Sequence, residues 1–181
     1  LYAISKDNVK LRYENIIRVK DIKILRIFPN KLKIKFYERR GYFFIRTKEG
    51  NLFPIDKERI ILDNELFYNS EILPVIDTNL SDKELFYGQK LQNAFIEKVY
   101  DLRENIHFCD KDFIKDISEF YEENNDIYLV EASIGYRIVF GEGELENKLE
   151  RFNFLKQNRN FTKGMIVNLM FDNLVITQLG E

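Results

Sequence analysis

Among the residues of this chain, His107 and Cys109 have the types and spacing that suggest a catalytic nucleophile. In a β-strand two residues at this spacing share a face, and an imidazole beside a thiol can activate it. The alternative is a buried structural cysteine beside an incidental histidine, because free cysteine is commonly buried and such dyads are rarely built from sequence neighbours. We adopt the second interpretation and predict no catalytic residue. One histidine and one cysteine also cannot complete a zinc site with the usual nitrogen and sulfur ligands, so no metal or cofactor is predicted.

The acidic clusters suggest a second kind of chemistry, since paired carboxylates can act as general acid and base. Glu122 is followed by Glu123, and the segment 142–146 carries three further glutamates. The three glutamates of the segment 142–146 lie at the start of an apolar helical pattern, and acidic side chains are favourable near a helix N-terminus. The pair Gly141-x-Gly143 is too short for a phosphate-binding motif. We therefore predict neither an acid–base pair nor a nucleotide site, and the chain is not expected to be an enzyme.

Length and composition allow one domain or two small ones in the 181 residues, of which 45% are apolar. No apolar run approaches the roughly 18 residues of a spanning helix, and the start has no signal-peptide pattern. The sequence therefore predicts a soluble protein or a soluble piece of a longer chain. Its first residue, Leu1, favours the piece.

Charge is distributed unevenly along the chain. Residues 1–40 hold 12 Lys and Arg against 4 Asp and Glu, a net of +8, and the remaining residues hold 16 against 26, a net of −10. Such asymmetry indicates two modules, or one module facing an anionic surface. Nucleic acid is not predicted, because the lysines alternate with apolar residues and solubility explains them. Anionic lipid or wall polymer remains open.

The elements that must position any site follow an α+β pattern. Ser5 is a candidate N-cap for a helix through Asn15, and two alternating strands are predicted near 19–27 and 31–38. After residue 40 the pattern predicts a mostly antiparallel sheet with two helices. Its predicted strands lie at 42–47, 52–56, 72–76, 127–132, 136–140, 165–171 and 174–179, and its helices begin at Ser81 and near Glu144, while 113–121 fits helix or strand.

The last predicted strand, 174–179, has almost no charge, no proline and no successor strand in the sequence. Natural edge strands usually carry charge, proline or a bulge that prevents further pairing. An unprotected terminal strand is therefore a candidate for strand addition by a partner. The alternative, a strand paired on both sides within the sheet, stays open at this point.

Five short motifs resemble, in the same order, those of the FtsQ/DivIB family of bacterial cell-division proteins. The first resembles the end of that family's POTRA domain, with Phe28-Pro29-Asn30, an alternating strand and the closing pair Glu38-Arg39. The motifs span nearly the whole chain and lie at 26–39, 49–53, 73–76, 139–152 and 166–171.

The resemblance implies a partial POTRA-like unit, helix plus hairpin, at 1–40 and a β domain at 41–181. It implies a non-enzymatic, extracytoplasmic scaffold at the division septum, anchored in the cytoplasmic membrane by one helix that is absent here. FtsB/DivIC-like and FtsL-like proteins would be the partners, and septal peptidoglycan synthesis the regulated process. Carried over by position, the partner-binding residues are Phe171, Asn173, Val175, Ile176, Thr177, Gln178 and Leu179.

The sequence departs from the family at Asn168 and Met170, where Asp and Arg are usual, so no charge pairing is expected through them. The alternative function is a POTRA-type polypeptide-binding module of an outer-membrane assembly or secretion system, using the edge of the 19–38 hairpin.

Overall fold

The computed structural model describes residues 5–63, 72–171 and 175–178 and has the predicted α+β class. The described strands form two separate sheets, one of two strands and one of eight. Their bounds, in chain order, are α1 Lys6–Glu14, β1 Val19–Ile27, β2 Lys31–Glu38, β3 Gly41–Arg46, β4 Leu52–Asp56, β5 Val75–Asp77, α2 Ala94–Cys109, β6 Ile117–Glu123, β7 Asp126–Glu131, β8 Arg137–Val139, α3 Leu145–Asn158, β9 Met165–Asn168 and β10 Val175–Gln178.

The first unit is a helix on a hairpin. β1 and β2 pair antiparallel with Ile22 opposite Phe36 and Ile24 opposite Ile34. These cross-strand partners share the face that α1 covers, where Phe36 meets Tyr13 edge to face at 5.0 Å. The predicted strands at 19–27 and 31–38 are therefore confirmed, and residues 1–4 lie outside the described part of the chain.

The large sheet has the order β10-β9-β8-β7-β6-β5-β3-β4. Three of its joints are parallel, namely β3–β5, β5–β6 and β8–β9, and the other four are antiparallel. Two of the parallel joints follow from crossover helices, because α2 separates β5 from β6 and α3 separates β8 from β9. The predicted mostly antiparallel sheet with two helices is confirmed.

The core joins the sheet to α2 and α3. Phe43 and Phe120 from the strands and Phe152 from α3 are among the largest fully buried side chains, and Phe43 meets Phe120 edge to face. Helical spacing turns Ile96, Val99 and Tyr100 of α2 into the same cluster. The aromatic-rich composition is thus used mainly in packing.

One predicted helix begins in the wrong place. Ser81 precedes only a three-residue 3₁₀ turn, Asp82–Glu84, and α2 starts at Ala94, where the Asn93 side chain accepts a hydrogen bond from the Ile96 amide. Gly88 between them has a φ of +82°, which a helix does not permit. Leu85 and Leu91 are buried, but they enter the core from irregular chain.

In two short segments the secondary structure differs from what the sequence pattern suggests. The strand predicted at 72–76 begins only at Val75, because Pro74 has no amide to donate, although its carbonyl accepts from the Phe44 amide at 3.0 Å. The ambiguous stretch 113–121 divides into a 3₁₀ turn, Phe113–Asp116, followed by β6.

Candidate functional site

The candidate partner-binding strand lies at one end of the eight-stranded sheet. β10 pairs with β9, antiparallel, with Ile176 opposite Val167 and Thr177 opposite Ile166. Among the described strands, no other pairs with β10. The open alternative is thereby decided: within the described chain β10 is an edge strand.

The residues predicted to bind a partner are described only in part. Ile176 is half-buried and packs against the core, whereas Thr177 is exposed and points to the opposite face. Phe171 is 60% exposed just ahead of the strand. For Val175 and Gln178 the structure gives the backbone only, and Asn173 and Leu179 lie outside the described residues.

β4 forms the opposite edge of the same sheet, and this edge is covered. Pro54 lies within β4, and residues 60–62 run antiparallel along its outer side. The Leu62 amide donates to the Pro54 carbonyl at 2.8 Å, and the Asp56 amide donates to the Ile60 carbonyl at 3.0 Å. Residues 88–91 then bond to 59–61 from outside. Two layers of irregular chain thus occupy the groups that a partner strand would need.

The first unit is attached beside this covered edge by ion pairs. Arg39, which follows β2, donates through Nη1 to Asp56 Oδ2 and to Glu58 Oε2, both at 2.6 Å. Lys20 also pairs with Glu58 at 2.6 Å. Burial alone would lower the pKa of the Arg39 guanidinium, but the hydrogen bonds to Asp56 and Glu58 outweigh it and raise that pKa. Arg39 of the closing Glu-Arg motif therefore has a structural role that the sequence did not reveal.

Residues 169–171, the described part of the connection from β9 to β10, are held by polar contacts. The Leu169 amide donates to the Val139 carbonyl at 2.8 Å, which extends the pairing of β8 with β9. The Met170 amide donates to Asn168 Oδ1 at 2.9 Å, and Arg151 Nη1 donates to the Phe171 carbonyl at 3.2 Å. The Asn168 side chain thus accepts a hydrogen bond within a local turn, and an aspartate at this position would accept the same bond.

Gly141 and Lys148 shape the loop that supports this connection. Gly141 has a φ of +62°, and a Cβ placed on it would lie 2.8 Å from Met170 Cγ. Lys148 is buried on α3, and its ammonium donates to the carbonyls of Phe140, at 2.6 Å, and of Glu142. The motif at 139–152 therefore helps to position the residues that lead into β10. This role depends on β8, α3 and β9 being neighbours in the fold, which the sequence alone does not show.

The candidate nucleophile does not have the strand geometry considered above. His107 and Cys109 both belong to α2, where residues two apart point in different directions. Cys109 is exposed, so the expectation of a buried structural cysteine is wrong. Cys109 is the last residue of α2 and lies beyond Ile106, the last buried residue of that helix.

An open cleft of about 480 Å³ is lined by residues that include Lys115, Lys156, Arg159 and Glu131. Burial alone would raise the pKa of Glu131, but hydrogen bonds from the Ser133 hydroxyl and the amides of 133–135 outweigh it and lower that pKa. The carboxylate is therefore used in capping a turn. In the described part of the chain no three His, Cys, Asp or Glu side chains group as metal ligands.

No protein-family model matches the chain, and no curated protein is significantly similar to it. None of the helices in the described ranges is long and apolar enough to cross a membrane.

Proposed function

We propose that this chain is a non-enzymatic, extracytoplasmic division scaffold of the FtsQ/DivIB type, which binds an FtsB/DivIC-like partner, together with an FtsL-like protein, by adding a strand to β10. The observation that carries the proposal is the edge position of β10, since only one of its sides is paired among the described strands. Its sequence, Val-Ile-Thr-Gln, contains no charge or proline that would oppose pairing.

The surroundings of β10 support a partner of matching chemistry. An added strand would gain main-chain hydrogen bonds along β10, and its alternate side chains would lie beside Thr177 on one face. Phe171, exposed at the start of the connection, offers an apolar contact next to that edge. The order of the five family-like motifs supports the identity of the partner, and regulation of septal peptidoglycan synthesis follows from that identity.

The test is titration of the chain with the FtsB/DivIC-like segment from the same organism, followed by calorimetry. We expect a saturable complex, and Phe171→Asp combined with Leu179→Asp should weaken it by about ten-fold or more, because each change replaces an apolar side chain of the proposed site by a charge. Leu52→Asp places a single negative charge on the covered edge and serves as the control, with unchanged affinity.

Hydrogen exchange locates the bound segment independently of the variants. Amides of β10 should gain protection in the complex, while those of β4 should not change. Protection in 19–38 instead would favour the alternative polypeptide-binding module. Unchanged affinity of the double variant would refute the site, and no binding of the division partner at all would refute the function.

A further inference from the structure

The hairpin of the first unit has one free face, and that face is basic. Lys23 lies opposite Lys35, Leu25 opposite Lys33 and Ile27 opposite Lys31, so all six side chains are on the side turned away from α1. The four lysines are exposed, and none of them forms a salt bridge with a residue that the structure describes. We will call these six residues, together with Phe28 at the hairpin turn, the basic face.

The positive charge of the basic face is little compensated locally. Asp21 is the acidic residue on the same side of β1, and its Oδ1 accepts a hydrogen bond from the Ile22 amide at 2.8 Å. Tyr37 lies between two ammonium groups, with Lys35 Nζ at 4.8 Å and Lys23 Nζ at 5.2 Å from the ring centroid. Hydrogen bonding by Lys35 and then by Lys23 lowers the pKa of the Tyr37 phenol, as a positive local potential requires.

Apolar side chains on this face are more exposed than solubility explains. Leu25 is 56% exposed, Ile27 is 45% exposed and Phe28, at the tip, is 85% exposed. A soluble polyanion would neutralise the lysines but would leave these side chains in water. An anionic bilayer accommodates both the lysines and the apolar side chains, because the lysines meet the headgroups while the apolar side chains enter the headgroup–acyl boundary.

We infer that the basic face docks on an anionic lipid bilayer, with Phe28 inserted at the interface and Lys23, Lys31, Lys33 and Lys35 against the headgroups. The inference is independent of the proposed function, because it uses the hairpin of the first unit and not β10. It assigns opposite ends of the chain to different binding partners: lipid at the basic face and a protein strand at β10.

The chain contains no tryptophan, so Phe28→Trp introduces a single emission reporter at the tip. With vesicles of equal parts phosphatidylglycerol and phosphatidylcholine, we expect its emission to shift to shorter wavelength as the indole leaves water. Phe86→Trp, at an exposed position in the large unit, is the matched control and should show no shift. Pure phosphatidylcholine vesicles should shift neither.

Flotation of the whole chain with the same anionic vesicles measures the charge contribution. The double variant Lys31→Glu with Lys33→Glu should reduce binding by more than about five-fold, because removing even one basic residue near an anionic surface weakens binding by about that factor. Lys83→Glu with Lys98→Glu changes net charge equally on the large unit and should leave most binding intact. Added salt should weaken the wild type.

Each of these results with vesicles would overturn the inference: no preference for anionic over neutral vesicles, equal shifts at Phe28→Trp and Phe86→Trp, or equal losses in the two lysine pairs. A single-stranded oligonucleotide is the remaining comparison. If it binds as tightly as vesicles do and Phe28→Ser changes neither, the face recognises polyanions in general and the lipid assignment is wrong.

Discussion

The two edges of the eight-stranded sheet differ both in composition and in what lies beside them. β4 and β10 are both short strands, of five and four residues. β4 contains Pro54, is covered by residues 60–62 and has residues 88–91 behind that cover. β10 has no such cover among the described residues.

Composition and cover therefore agree at these two edges, because β4 carries Pro54 and Asp56 whereas residues 175–178 carry neither proline nor charge. β4 is covered by residues 60–62, which follow it after a short turn, and behind them by residues 88–91 from farther along the chain. Both strands lie at an end of the sheet, and the accessible edge is the one that no described segment covers. Partner addition is therefore expected at β10 and excluded at β4, and each variant below acts on one edge only.

The largest effect is expected from Arg39→Met, which acts on the covered edge. Asp56, whose side chain is 5% exposed, would lose its cationic partner, and breaking a buried pair in this way costs about 3 kcal/mol. Urea denaturation measures the loss, and hydrogen exchange should increase first in residues 54–62. β10 should be unaffected.

Arg40→Met is the matched control, since Arg40 is the exposed neighbour and its replacement should change stability by less than about 0.5 kcal/mol. Equal destabilisation by the two variants would mean that the ion pair with Asp56 is not what secures this edge.

A smaller effect is expected from Gly141→Ala, which acts on the β10 side. The new Cβ would meet Met170 Cγ at 2.8 Å and would stand on a backbone with φ of +62°, so we expect about 2 kcal/mol of destabilisation. Displacement of Met170 and Phe171 should also weaken partner binding to β10.

Gly50→Ala separates the two causes. Gly50 has a φ of +88°, but a Cβ there would meet no atom within 4 Å, so only the backbone penalty of about 1 kcal/mol applies. If both alanine variants lose the same stability and neither affects partner binding, contact with Met170 does not position the edge.

The sequence predicted those parts of the fold that depend on local periodicity. The hairpin at 19–38 follows from alternation of lysines with apolar residues, and the terminal hairpin follows from two apolar runs around a polar turn. The start of α2 was missed because Leu85 and Leu91 have helical spacing although Gly88, between them, is in a left-handed conformation. Apolar spacing reports burial, and irregular chain can be buried as well.

From the sequence, the site could be predicted only as one strand, without its place in the sheet. That 174–179 is apolar and uncharged could be read directly, but its edge position depends on which strands pair across the sheet. The contacts of Arg39 with Asp56 and of Lys148 with the Phe140 carbonyl join elements that meet only after folding. Neither residue type nor spacing contains that information, and the resemblance marked these residues without giving their roles.

The smallest effect is expected from acid, and it should again distinguish the edges. Hydrogen bonds from Lys20 and then Arg39 lower the pKa of Glu58 in the folded chain. The unfolded value is about 4.3, so the ionised carboxylate stabilises the fold above that pH, and this contribution is lost as the pH falls through the lowered folded pKa. The Glu58 side chain is 45% exposed, so solvent screening limits the contribution to about 1 kcal/mol at most.

Glu58→Gln should remove this part of the acid dependence, so the stability gap between wild type and variant should narrow from about pH 7 to about pH 3. Residues 175–178 contain no titratable side chain, and partner affinity at β10 should be the same in wild type and variant throughout. A gap that widens on acidification would contradict the sign of the Glu58 shift. A change in partner affinity would show that the two edges are coupled through the sheet, because the side chains of Glu58 and β10 have no described contact.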